Sequence, residues 1–186
     1  ESVAIVGTGV QARYQARYIS ELMKVKKISI WGRDPKKAEK VKADLSYLDV
    51  NIESDIEKLV TESSLIVTTT SSKDPLIQSE WVKPGTHITA VGSDTPEKCE
   101  LDPNLLSRAD LLVADSLEQN LIRGEIHQAA KQSLIDSENV VELGEVFSGI
   151  KKGRVHQDSI TIADLTGVAV QDLVIAQAVF KAAKEA

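Results

Sequence analysis

The sequence predicts an α/β fold, a doubly wound and mostly parallel sheet with helices on both faces, and three observations support this. Short apolar runs alternate with stretches of helical period, the pattern of a parallel sheet covered on both sides. The run at residues 65–69 is β-branched and continuous, as in strands buried on both faces. A glycine turn, Gly7-Thr8-Gly9, joins the first apolar run directly to the first helical stretch. The 186 residues are 42% hydrophobic, which is enough for one core without disulfides or metal.

Each element follows in order. The first strand is expected at residues 2–6 and the first helix at 10–23, where Ala12, Ala16, Ile19 and Met23 recur at steps of four and three. A second strand reads at 27–31. Asp34 then offers a cap and Pro35 a first helical position, so a helix is expected at 36–45. Residues 50–52 read as a short strand, 55–61 as a short helix and 65–69 as a buried strand. The stretch 71–78 has no regular pattern and reads as a loop that lines a site. A turn at 81–85 leads to a strand at 87–91, a helical turn at 103–108 and a sixth strand at 111–114. Helices are expected at 117–134 and 140–147, a strand at 159–162, and a closing helix at 168–184 that serves as core packing or a dimer contact.

Charge and residue usage narrow the function. A balance of 22 basic against 28 acidic residues gives a net charge of -6, which disfavours a nucleic-acid partner because such affinity rests on a basic surface. The single Cys99 fits a structural thiol in a reducing interior, and scattered His87, His127 and His156 offer no metal-ligand spacing. Lacking an apolar run of about 18 to 20 residues, the chain implies no membrane partner and a cytoplasmic location. It opens at Glu1-Ser2 and runs at once into a strand, so it is expected to be a piece of a longer protein. Ser71-Ser72 lacks a nucleophile elbow, and Glu142 with Glu145 suits a capping or surface contact better than a paired-acid site.

Two constellations carry chemistry. Gly7-Thr8-Gly9-Val10-Gln11-Ala12 fits the G-x-G-x-x-A dinucleotide fingerprint between a strand and a helix. This makes the fold a three-layer αβα Rossmann domain, with Gly7, Thr8, Gly9, Val10 and Gln11 as cofactor-binding residues. The second strand ends in Gly32, where NAD sites usually place an acid, and Arg33, Lys36 and Lys37 follow. NADP is therefore the preferred cofactor, with NAD as the alternative if Asp34 serves a ribose hydroxyl. The fifth strand ends in Ala90-Val91-Gly92-Ser93-Asp94-Thr95-Pro96-Glu97-Lys98, at the carboxyl end of the sheet where open α/β folds bind ligands. There Asp94 can act as a general acid or base or can merely form a turn before Pro96, while Lys98 can reach a cofactor phosphate or pair with an acid.

These residues resemble the ornithine cyclodeaminase and μ-crystallin family, which includes ketimine reductases and archaeal-type alanine dehydrogenases. Besides the fingerprint, the resemblance rests on Trp81-Val82-Lys83-Pro84-Gly85-Thr86-His87, on Val91-Gly92-Ser93-Asp94-Thr95-Pro96 with Lys98 and Glu100-Leu101-Asp102, on Glu142-Leu143-Gly144-Glu145-Val146, and on Thr166-Gly167-Val168-Ala169-Val170-Gln171-Asp172-Leu173. It implies that Asp94 is catalytic and that Thr69, Thr70, Val91, Gly92 and Lys98 lie against the cofactor. Leu165 departs from the small hydroxyl residue expected near the nicotinamide, and Thr166 is expected to replace it. Cyclodeaminases and alanine dehydrogenases of the family tend to carry the acid where this chain has Gly32, whereas the NADP-binding μ-crystallin type carries an arginine as here at Arg33. The implied activity is hydride transfer between NADPH and the C=N carbon of an imino acid, with Asp94 handling the proton. Ornithine cyclodeamination to proline and alanine dehydrogenation are enzymatic alternatives, and an NADP-regulated binder of a small hormone-like ligand is one of another class. The resemblance also implies a substrate and dimerisation domain before Glu1, a homodimer when that domain is present, and little turnover by this cofactor domain alone.

Overall fold

The computed structural model describes residues 2–185. Eight strands form one sheet in the order β3-β2-β1-β4-β5-β8-β6-β7, and every neighbouring pair is parallel. The chain lays down β1 (Val3–Val6), β2 (Lys27–Trp31) and β3 (Asp49–Ile52) in one direction, then returns to place β4 (Leu65–Thr68) on the other side of β1. That reversal opens a crevice beyond the carboxyl ends of β1 and β4, the place where doubly wound folds bind ligands.

All four residues of β1 are buried, and they alternate between two cores. Val3 and Ile5 join Ile28, Ile30 and Val67 beneath α1 (Val10–Met23) and α2 (Pro35–Asp44), which contribute Ala12, Ala16 and Val41. Ala4 and Val6 join Ile66 and Ile88 on the opposite face, beneath α3 (Ile56–Thr61), α4 (Pro103–Ser107) and α6 (Glu125–Lys131). Strand β5 (His87–Ala90) continues the sheet beyond β4, so the three-layer arrangement follows from a period of two in the strands and small residues where α1 crosses β1.

The second half of the chain departs from expectation in four places. The helix expected at 117–134 is two helices, α5 (Leu117–Asn120) and α6, because Gly124 at φ +94° turns the backbone out of the helical region. The helix expected at 140–147 begins with a short strand, β7 (Val141–Glu142), which pairs with β6 (Leu111–Ala114), and α7 (Leu143–Phe147) follows only after it. Glu145 accepts from the Glu142 N–H at 3.1 Å and so caps that helix. The strand expected at 159–162 is β8 (Thr161–Asp164); before it, Ile160 gives its N–H to the Asp110 carboxylate at 2.8 Å rather than to a ladder.

The last departure concerns the closing helix, α8 (Ala169–Glu185), which has no buried residue among those described. It is therefore not core packing: Val170, Val174 and Ile175 face Tyr14 and Tyr18 of α1 only across a groove, and Leu173, Val179 and Phe180 are exposed. No helix among the described residues is long and apolar enough to cross a membrane.

A methyl group at Gly124 would stand 2.6 Å from Asp164 Oδ2 in a backbone conformation that side chains rarely adopt. Gly124→Ala should cost about 1–3 kcal/mol and lower the melting temperature by roughly 2–10 °C. A thermal melt of the variant checks this, and an unchanged midpoint would refute it.

Candidate active site

Strand β1 delivers the chain to Gly7, whose φ of +132° and contact with Thr69 leave no room for a side chain. Gly9 is the N-cap of α1, and no side chain caps that helix or places an acid in its first turn. The first N–H groups of α1 are therefore free, and with the positive end of the helix dipole they form a site for an anion. A Cβ at Gly9 would meet nothing within 4 Å, so the backbone there faces open space. Arg13 holds the turn from behind, donating to Thr8 O at 2.8 Å and Gly9 O at 2.9 Å while its Nε pairs with Asp44 of α2 at 2.8 Å.

From this turn runs a cleft of about 1080 Å³, just above the roughly 300–1,000 Å³ that small-molecule sites occupy. Gly7, Thr8, Gly9, Val10, Arg33, Asp34, Thr69 and Thr70 of the sequence-predicted set all line it. Asp34 also caps α2, accepting from Lys36 N at 2.9 Å. A Cβ at Gly32 would run into the Thr8 methyl, so Gly32 fits its place at the end of β2 by having no side chain. Arg13, Lys37, Lys40 and Lys73 add cations to the lining; of these only Lys37 was marked by the motif reading, since charges scattered over three segments form no pattern in sequence.

Six of the predicted residues, Gln11, Val91, Gly92, Asp94, Lys98 and Thr166, do not line this cleft. Gln11 follows Val10 on α1 and points with Tyr14, Gln15 and Tyr18 toward α8, because one residue is about 100° of helix rotation. Thr166 is buried past the end of β8, and its hydroxyl lies 3.3 Å from Asp115 Oδ1.

The loop after β5 lies beside Thr70. A Cβ at Gly92 would strike the Thr70 backbone, so Val91 and Gly92 bring the loop up against the Thr69-Thr70 side of the cleft. Asp94 is 53% exposed and pairs with Lys98 Nζ at 2.5 Å. Ser93 closes the loop by donating to Lys98 O at 2.9 Å, and Gln128 of α6 donates to Pro96 O at 2.7 Å.

Three buried carboxylates behind the loop escaped the sequence reading as a group. Glu100 accepts from Thr68 Oγ1 at 2.7 Å, Thr70 N at 2.5 Å and Gly92 N at 2.8 Å. Glu125 accepts from Glu100 N at 2.8 Å and Leu101 N at 3.1 Å, and Asp164 accepts from Ile126 N at 2.8 Å. Burial pushes Glu125 up to about 8, with the Asp164 charge adding to it, and burial pushes Asp164 up to about 7 against the pull of the Ile126 N–H. Burial raises Glu100 too, opposed by its donors. Cys99, packed against Glu125, is pushed up to about 12 by burial and then by that carboxylate. Among the described residues no group of three or more His, Cys, Asp or Glu could hold a metal ion.

A model of the ornithine cyclodeaminase/mu-crystallin family matches residues 1–186. The chain belongs to this family. It is 42% identical to an uncharacterized cyclodeaminase of Sinorhizobium fredii, covering 97% of this chain and 56% of that protein. The iminosuccinate reductase of Paracoccus denitrificans, solved with NAD+, has a TM-score of 0.89 and 36% identity, covering 100% of this chain and 57% of the other. The Thermococcus litoralis Δ1-pyrroline-2-carboxylate reductase, solved with NADH and L-proline, has a TM-score of 0.92 at 28% identity over 100% of this chain and 58% of its own. The family chain described here thus spans a little over half the length of these relatives.

The buried acids give stability a pH dependence of definite sign. Each binds its proton more tightly folded than unfolded, so the folded chain holds the extra protons and their stabilisation is lost as pH rises from about 4 through about 8. Glu125→Gln removes one of these titrations. The wild-type advantage over this variant in urea unfolding should shrink from pH 5 to pH 9 by on the order of a few kcal/mol; a constant difference would refute the assignment.

Proposed function

We propose that this chain is the cofactor-binding half of a nicotinamide-dependent enzyme that reduces the C=N carbon of a small imino acid, with NADP as the preferred cofactor and Asp94 as its acid or base. The observation that carries the reading is the uncapped N-terminus of α1 at one end of a long cleft, with the Asp94 loop beside its Thr69-Thr70 side. The free N–H groups of α1 would hold the pyrophosphate, and Thr69 and Thr70 would flank the ribose. Arg33, with Lys37 and Lys40 across the same rim, would meet a 2′-phosphate; the absence of a carboxylate at Gly32 removes the repulsion that would oppose it. NAD+ and NADH in the two solved relatives support the cofactor class.

A nicotinamide dinucleotide, when bound, supplies or takes up the hydride. The protein's part is to hold the imine carbon within near-attack distance and to manage one proton at the nitrogen. Asp94 is exposed enough to reach a substrate, and its ion pair with Lys98 fixes the carboxylate's orientation. A proton delivered by Asp94, or an iminium stabilised by its charge, makes the carbon a better hydride acceptor. The name of the Sinorhizobium fredii relative favours cyclodeamination as a second reading; there the hydride is removed and then returned, so no cofactor is consumed. The exposed apolar residues of α8, Val174, Val179 and Phe180 among them, support assembly with a second copy.

Two measurements test these assignments. Arg33→Ala should weaken NADP binding about tenfold, the equivalent of ~1.4 kcal/mol, and leave NAD nearly unchanged; a wild-type preference for NAD in the same titration would overturn the cofactor choice. Asp94→Asn in the intact protein should lower kcat by about 10²–10⁴-fold with cofactor affinity retained, and full activity would remove Asp94 from the chemistry. Net NADPH oxidation with a cyclic imine marks the reductase, whereas proline formation from ornithine without net oxidation marks the cyclodeaminase.

A further inference from the structure

The parallel ladder between β4 and β5 ends where Val91 N donates to Thr68 O at 2.9 Å. Past that bond the two strands become the two loops of the site, and the next N–H groups, those of Thr70 and Gly92, donate to no backbone carbonyl. The Glu100 carboxylate fills the gap, with Oε1 on Thr70 N and Oε2 on both Gly92 N and Thr68 Oγ1. The loops close so tightly around it that a Cβ at Gly92 would come within 2.6 Å of Glu100 Oε2. Glu100 cannot drift, because its own N–H donates to Glu125 Oε1 and its carbonyl accepts from Leu76 N at 2.8 Å and Ile77 N at 3.0 Å. Its side chain is fully buried, and every bond it makes runs to loop backbone or to the last residue of β4.

We propose that Glu100 is a positioning residue: it ties the Thr69-Thr70 loop to the loop carrying Asp94 and so sets where Asp94 stands relative to the cofactor cleft. This rests on the reading of Asp94 as the acid or base. Thr69 is held independently, its N–H donating to Val6 O at 2.8 Å, and the phosphate turn is braced by Arg13. Loss of the Glu100 tether therefore loosens Thr70 and the far loop, while Thr69 and the phosphate turn keep their own supports. A shift of about 1 Å in a reacting group can cost on the order of a hundredfold in rate.

Glu100→Gln offers one acceptor oxygen to three donors, and its NH2 must face at least one N–H or O–H. In the intact protein kcat should fall about 10- to 100-fold with cofactor Kd changed less than about threefold. Leu105→Ala, which leaves a cavity at a fully buried leucine of α4, supplies a comparison of similar stability loss that should keep kcat. Equal kcat losses in the two variants, or a Glu100→Gln kcat within twofold of wild type, would overturn the proposal. Amide hydrogen exchange in the wild type gives a second reading that needs no variant and no turnover. Thr70 and Gly92 amides should be strongly protected beside a freely exchanging Lys73, and fast exchange at both would overturn the tether even if the variant fails to fold. Protected amides with an active Asp94→Asn would instead remove Asp94 from the chemistry and leave the tether standing, so the two failures are told apart.

Discussion

A carboxylate buried without a cation is tolerable only if donors surround it, and Glu100 imposes that condition at the point where the sheet stops. Its three donors come from the ends of β4 and β5, so satisfying one side chain forces two loops together. The same condition repeats one step back. Glu125 needs the N–H groups of residues 100 and 101, and Asp164 needs the N–H of Ile126 at the start of α6. Strands β4, β5 and β8 and helix α6 are thereby bound through three side chains whose desolvation would be costly if any member moved away.

The opposite polarity governs the other end of the cleft. There the N–H groups of α1 have been left without an internal partner, an arrangement that is destabilising in isolation and favourable once an anion arrives. In a chain of net charge -6, Arg13, Arg33, Lys37, Lys40 and Lys73 all border this cleft. Asp34, Asp44 and Asp74 border it too, Asp44 already paired with Arg13, so the lining carries an excess of cations over carboxylates. One end of the crevice thus leaves N–H donors free for an anion, while the neighbouring loops are organised by carboxyl groups already in place.

The first half of the domain was legible because its signals are local. A strand, two glycines and a helix with small residues at the right spacing specify β1, the turn and α1 within 23 positions, and the alternation that follows gave all six strands through Ala114. The second half was less so. Gly124 was the only mark of the break between α5 and α6, and a two-residue strand such as β7 exists only because β6 offers it a partner. Glu100 was visible as a letter of a motif, yet its task depends on Thr70 and Gly92 meeting in space, from positions 30 and 8 residues away. Gln11 shows the reverse: it belongs to the fingerprint by spacing, yet helix rotation carries its side chain to the far side while its N–H stays at the start of α1.

Cys99 lies inside this arrangement, its thiol against Leu101 O and Glu125 and its N–H on Ser72 O at 2.9 Å. Burial and the adjoining acid hold it as an unreactive thiol at neutral pH. It is also the one cysteine of the chain. Alkylation can therefore occur only through an excursion that parts the 99–101 segment from α6, and the labelling rate under native conditions becomes a clock for that opening. The molecule carries, at the hinge of its polar framework, a single-site chemical recorder of how often the framework comes apart.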